Sequence, residues 1–327
     1  MKTWKIFAAG AAYGLAMRLL FGLAPLFERA SGPADLGSRT GAAGPMLASF
    51  VVLVPILIGA FTVVAARERA PGFGFAIVGP WVPTLAFVAG TAILLIEGSV
   101  CIAMALPIFL ALASVGGVVG WIVVKAGKPR GPAMNALLLL PLAAGVGEMQ
   151  LALPQTLARS SAGVHIDAPP EAVWSLINRA TDIRPAEMKD GLAWRIGVPF
   201  PVEAITRATP AGRVRQLRWA GGVRFDEPIT DWQENRSLRW TYDIRPDSFP
   251  PGTLDEHVLI GGRYFDLVDT SYTLAPEAGG TRLDIVVDYR VSTNFNWYAA
   301  SVGRLVVDDA ARAILAFYKH RCEQPAG

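Results

Sequence analysis

The sequence has little charge, little cysteine and little histidine, and it lacks the compact motifs by which many enzymes announce themselves. Of its 327 residues only 17% are Asp, Glu, Lys or Arg, while 52% are hydrophobic. An ordinary soluble domain is about a quarter charged, so a wholly water-soluble chain is disfavoured. The two cysteines, Cys101 and Cys322, lie far apart, and the three histidines are His165, His257 and His320. This leaves no ligand cluster for structural zinc or an iron–sulfur centre, no disulfide framework, and no metal or cofactor to expect. Gly-x-Ser-x-Gly, a phosphate-binding glycine loop and His-Glu-x-x-His are all missing. No basic block is suited to nucleic acid.

What charge there is lies mostly in the second half. Residues 1–150 hold ten Lys/Arg and five Asp/Glu, and residues 151–327 hold twenty and twenty-two, so the halves carry net charges of +5 and −2. A membrane helix needs roughly 20 mostly apolar residues to cross about 30 Å of hydrocarbon. Such runs are Ile6–Phe27, Met46–Ala66, Phe75–Ile96, Val100–Val124 and Ala133–Leu153, the third and fourth divided at Glu97-Gly98-Ser99. The expectation is a membrane all-α bundle of about five transmembrane helices over residues 1–155.

Basic residues set its orientation. Lys2, Lys5, Arg67, Arg69, Lys125, Lys128 and Arg130 fall on one side, against Arg29, Arg39 and Arg159 on the other. This predicts a multi-pass protein of the plasma (inner) membrane with a cytoplasmic N-terminus and an extracytoplasmic C-terminal domain. Reading Lys2–Ala24 as a cleaved signal peptide leaves four spans and the same sidedness. Arg18 and Glu97 are the ionisable residues within or between the apolar runs. They mark either a pairing or pathway site, or a snorkelling arginine and a glutamate at headgroup level.

From about Ser160 the pattern alternates. Ala162–Ala168 reads as a strand and Ala172–Ile177 as a short helix. Strands follow at Leu192–Val198, Val202–Ala208, Val214–Trp219, Val223–Trp232, Leu238–Ile244, Arg263–Leu274 and Thr281–Val291. Short joins make the sheet largely antiparallel. A long helix, Asn296–Cys322, closes the chain. Its apolar stripe is Val302, Val306, Ala310, Ala313 and Phe317, and Asn294 or Asn296 is its expected N-cap.

This order resembles the helix-grip superfamily (SRPBCC), which includes START, Bet v 1-like and polyketide cyclase/dehydrase-like domains. The likeness is carried by VHIDAPPEAVWSLINRATD (Val164–Asp182), FDEPITDWQENRSLRWTYDI (Phe225–Ile244), GGRYFDLVDTSYTLAPEAGGTRLDIVVDYRVST (Gly261–Thr293) and the closing helix. It implies an α+β helix-grip domain over residues 160–327, with a curved antiparallel sheet around the long C-terminal helix. It also implies an apolar ligand held between sheet and helix. Trp194, Trp219, Phe225, Trp240, Phe265, Tyr272, Tyr289 and Trp297 would form the wall of that site, and the competing reading is that they are ordinary core.

Catalytic candidates are sparse. The best local cluster is Asp255-Glu256-His257, followed by Arg263, Tyr264 and Asp266; His257 and Glu256 are its catalytic candidates, although an alternating strand would point them to opposite faces. Glu227 and Asp231, four apart on a strand, share a face that is either concave or solvated. The function expected is a membrane-anchored binding protein for a lipid or other hydrophobic small molecule, with the bilayer and that ligand as partners. One alternative is a cyclase/dehydrase-like or hydrolytic enzyme on a membrane-derived substrate. Another is a transport or signalling protein with an accessory domain.

Overall fold

The apolar runs of the first 150 residues fold as helices. In a computed structural model that describes residues 2–23, 44–127, 136–188 and 191–324, they are α1 (Thr3–Gly22), α2 (Val54–Ala65), α3 (Phe73–Val78), α4 (Trp81–Ile93), α5 (Ser99–Lys125) and α6 (Leu140–Glu148). They belong to the first of two units, Met1–Leu153 and Pro154–Gly327.

Two helical stretches among the described residues are long and apolar enough to cross a membrane: Phe73–Ile93, with 21 residues, and Ser99–Lys125, with 27. The expected count of about five is therefore corrected to two, for local reasons. Helix α1 is long enough but carries Lys5 and Arg18, and its apolarity falls short. The second run forms a shorter apolar helix, Ser49–Ala65, whose first turn, Ser49–Leu53, is π-helical. In the fifth run the ordered helix α6 has nine residues. Residues 24–27 and 133–135 of the expected spans lie outside the described residues, as do Arg29, Arg39, Lys128 and Arg130.

Glycines set how closely these helices approach. A Cβ on Gly116 of α5 would lie 1.9 Å from the Ile56 carbonyl oxygen of α2, and one on Gly59 of α2 would lie 2.0 Å from that of Ala113. Backbone therefore meets backbone, the small-residue contact typical of helices in lipid. The charges among the apolar helices find partners within the unit. Arg18 is buried and pairs with Glu97, while the Glu148 carboxylate accepts the backbone N–H groups of Ala48 and Ser49 at 2.6 and 2.8 Å.

The second unit is an eight-stranded antiparallel sheet in the order β1-β8-β7-β6-β5-β4-β3-β2. Its strands are β1 (Gln155–Ile166), β2 (Arg179–Ala180), β3 (Pro201–Thr209), β4 (Gly212–Trp219), β5 (Arg224–Gln233), β6 (Ser237–Thr241), β7 (Phe265–Glu277) and β8 (Gly280–Ser292). Helices α7 (Pro170–Asn178), α8 (Leu192–Ile196) and α9 (Asn296–Glu323) complete it. Register shifts at Pro201/Glu203, Ile229/Asp231 and Leu267/Asp269 mark bulges, which bend strands and let a sheet curl.

Four expectations change here. The first strand begins at Gln155, seven residues before the predicted start. Leu192–Val198 is not a strand: Leu192–Ile196 is a helix whose first N–H groups meet the Asp309 carboxylate of α9, and Gly197 ends it at φ 116°. Neither Asn294 nor Asn296 caps α9, whose cap position is Phe295 without a side-chain bond. The face of α9 that meets the sheet is Gly303, Val307, Ala311, Leu315 and Tyr318, shifted from the predicted stripe by one residue, or by two at Leu315, and Phe317 alone of that stripe is buried.

Candidate functional site

Alternation along the strands sends one side chain in two toward α9. On β4 the inward set is Arg215 and Leu217; on β5 it begins with Phe225 and Glu227. Arg215 and Glu227 are direct cross-strand partners, so their charged ends meet inside the domain. Arg215 Nη1 donates to Glu227 Oε2 at 2.9 Å, and the side chains are only 5% and 3% exposed. Arg215 Nη2 donates to the Tyr318 hydroxyl at 3.0 Å, which ties sheet to helix. The guanidinium also lies over the Trp240 ring at 5.1 Å and the Tyr272 ring at 5.9 Å. Its Nε has no hydrogen-bond partner among the described residues.

Burial pushes the Glu227 carboxyl up, while Arg215 and then Trp240 draw it back. Burial alone would lower the Arg215 guanidinium, but Tyr318 and Glu227 outweigh it and hold the charge in place. Two buried side chains of opposite charge thus meet within a few ångströms, ringed by aromatic faces. Tyr242 bonds Thr270 at 2.6 Å close by, and burial raises its phenol.

Glu227 and Asp231 do not share a face. The bulge at Thr230 adds one residue between Ile229, opposite Trp240, and Asp231, opposite Arg239. Trp232 therefore takes the inward place, stacked edge-on against Trp174 at 4.7 Å, and Asp231 faces out.

The predicted wall residues are brought together in part. Trp194, Trp219 and Phe225 form a chain of edge-on contacts at 6.3 and 5.2 Å, which Phe249 extends by stacking on Phe225 at 6.3 Å. Trp240, Tyr272 and Tyr318 form a second chain at 5.1 and 5.8 Å. Phe265 lies 5.9 Å from Tyr289, whose buried hydroxyl has no partner among the described residues. Trp297 stands apart, on the exposed side of the first turn of α9. Glu256 and His257 sit in a short 3-10 turn, Glu256–Val258, with the histidine buried and the glutamate exposed. The residues that pattern reading missed are Arg215, Tyr318 and Tyr242. The signal for Arg215 was its place two residues before Leu217 and four before Trp219 on one strand face.

An open cleft of about 340 Å³ runs along β4 and β5 under the segment Asp243–Ser248. Its charged groups are paired: Arg218 with Glu203, Arg224 with Asp247, and Arg245 with Asp226 and Asp243. Its buried members are Leu217, Phe225 and Ser248. Through Phe225 the cleft borders the strand face that carries Glu227.

Comparison with known proteins adds to this geometry. Residues 158–323 match the family described as polyketide cyclase / dehydrase and lipid transport. Similar solved structures include the di-domain ARO/CYC protein BexL of the BE-7585A biosynthetic pathway, at 16% identity over 65% of this chain and 62% of that one, with a TM-score of 0.34. A START superfamily protein from Mycobacterium smegmatis matches at 14% identity over 51% and 97%, with a TM-score of 0.33. An uncharacterised protein from Rhizobium leguminosarum matches at 12% over 52% and 99%, with a TM-score of 0.31. No protein of curated function matches the sequence. The family match covers half of the chain, from the first strand to the last turn of the closing helix, and the chain belongs to the polyketide cyclase / dehydrase and lipid transport family.

Proposed function

We propose that this protein is a membrane-anchored binding protein for a hydrophobic small molecule, a lipid among the candidates, held between the curled sheet and α9. The observation that carries this reading is the inward face itself. Trp240, Tyr272, Tyr289, Phe225 and Leu315 give it an apolar surface, and the Arg215–Glu227 pair sits within it. Moving a ligand's own apolar surface out of water contributes about 25 cal/mol per Å², so a site opened between α9 and this buried face can hold an alkyl or ring system without covalent chemistry. The free Nε of Arg215 and the hydroxyl of Tyr289 supply donors for a polar end group. Anchoring is supported by the two helical stretches long and apolar enough to span.

The test is photolabelling of the full chain in nanodiscs with a diazirine-bearing fatty acid, followed by peptide mapping. Adducts on peptides from β5 to β7 and on α9, competed by unlabelled fatty acid, are expected. Adducts confined to residues 2–127 overturn the binding reading.

A further inference from the structure

The first turns of α9 carry a feature that the interior site does not use. Trp297 and Leu305, eight residues apart and therefore on one side of the helix, are 65% and 55% exposed, with Ser301 and Arg304 exposed between them. Large apolar side chains rarely gather on a water-facing surface without a partner.

The chain itself says which partner. Asn296, the residue before Trp297, donates from Nδ2 to the Pro154 carbonyl and to the Thr156 hydroxyl, both at 2.9 Å. Pro154 is the first residue of this unit, directly after the apolar unit Met1–Leu153. The exposed tryptophan thus stands next to the residue fastened to the point where the chain enters the domain. Tryptophan is the side chain that settles at the membrane–water interface, with its ring among the upper acyl chains and its N–H in the wet layer. Arg304, on the same face, is placed to meet lipid phosphate.

We propose that Trp297 and Leu305, with Arg304 between them, form a lipid-docking surface that seats this end of α9 in the interfacial layer of the bilayer. This rests on the membrane-anchored reading above.

The test compares the full chain with its Trp297→Phe and Trp81→Phe variants in nanodiscs whose lipids are brominated near the top of the acyl chains. The intensity lost on substitution gives each tryptophan's own fluorescence. Trp81 lies in the span Phe73–Ile93 and reports whether that helix is in lipid. The expected result is that the Trp81 and Trp297 shares each fall by roughly half or more with brominated lipid, and that aqueous iodide leaves the Trp297 share nearly unchanged. If the Trp81 share falls while that of Trp297 is quenched by iodide, the docking surface is wrong and the anchoring stands. If the Trp297 share responds to neither quencher, it is covered by protein, and the lipid assignment is equally wrong. If the Trp81 share does not fall, anchoring fails and docking fails with it.

Discussion

Arg215 and Glu227 put opposite charges side by side on neighbouring strands, where the sheet faces its helix. Desolvating two charges costs several kcal/mol per ion, and their attraction offsets this only while both are present. Arg215→Met, which leaves Glu227 buried without its partner, is expected to destabilise the domain by about 3–5 kcal/mol. The double variant Arg215→Met with Glu227→Leu is expected to lose much less, because neither charge is then stranded. Chemical denaturation of the parent, Arg215→Met, Glu227→Leu and the double variant checks this. If the double variant loses as much as the sum of the singles, the two residues are uncoupled. The pair was legible only in part. Alternation on VRQLRW puts Arg215 with Leu217, and alternation on RFDEPI puts Glu227 with Phe225. What pattern reading cannot supply is that the two strands pair in the register that sets one opposite the other. Nor can it foresee the bulge at Thr230, which turns Asp231 outward, because an extra residue leaves no mark in a period of two.

Helix α9 shows why an element can be predicted and its buried side misjudged. Its length and position follow the sequence closely, Asn296–Glu323 against an expected Asn296–Cys322. Its inner side does not, because apolar or small residues come in adjacent pairs, Val302-Gly303, Val306-Val307 and Ala310-Ala311, so two neighbouring stripes satisfy the same period. The sheet selects the stripe that begins with Gly303, where a Cβ would already stand 3.6 Å from Val291 and 3.7 Å from Tyr289. The far end of the helix is fastened by charge. Arg321 donates from Nε and Nη2 to the two Glu187 oxygens at 2.7 and 2.9 Å, and also reaches the carbonyls of Thr181 and Asp182. The bond from Arg321 holds the Glu187 carboxyl down at about 2, against an ordinary value of 4.5. A carboxyl lowered on folding contributes stability that is present above its unfolded value and is lost as pH falls toward the folded one. Glu187→Gln is therefore expected to cost on the order of 2–3 kcal/mol at neutral pH, a difference that closes between about pH 4.5 and 2. Denaturation midpoints of both proteins across that range decide it. A gap that stays constant with pH would mean that Glu187 acts through shape and not through charge.

At the scale of the whole chain, composition separates an apolar half from a charged one, and the contact boundary falls at Leu153/Pro154. Hydropathy does not fix how many times the first half crosses a bilayer. A run such as Met46–Ala66 reads as one span by its average, whereas its backbone begins in 3-10 and π-helical turns and settles into an α-helix only at Val54. Sidedness depends on that count, since an even number of crossings returns the chain to the side it left. Phe73–Ile93 and Ser99–Lys125, the two stretches long and apolar enough to cross, would form one such return. A domain outside the cytoplasm then requires one further crossing, or three, among α1, the helix Ser49–Ala65 and the segment around α6. If α1, Ser49–Ala65 and the segment around α6 also crossed, Lys2, Lys5, Arg67, Arg69 and Lys125 would fall on one side and the domain on the other, and that arrangement is the one to test. A periplasm-active phosphatase fused after Gly327 is therefore expected to be active in a bacterial host, and a fluorescent protein that folds only in the cytoplasm is expected to stay dark at the same position. Fusions after Lys125 should give the opposite pair. If both positions report the cytoplasm, the segment after α5 does not cross, and the ligand must reach the domain from the cytoplasmic leaflet.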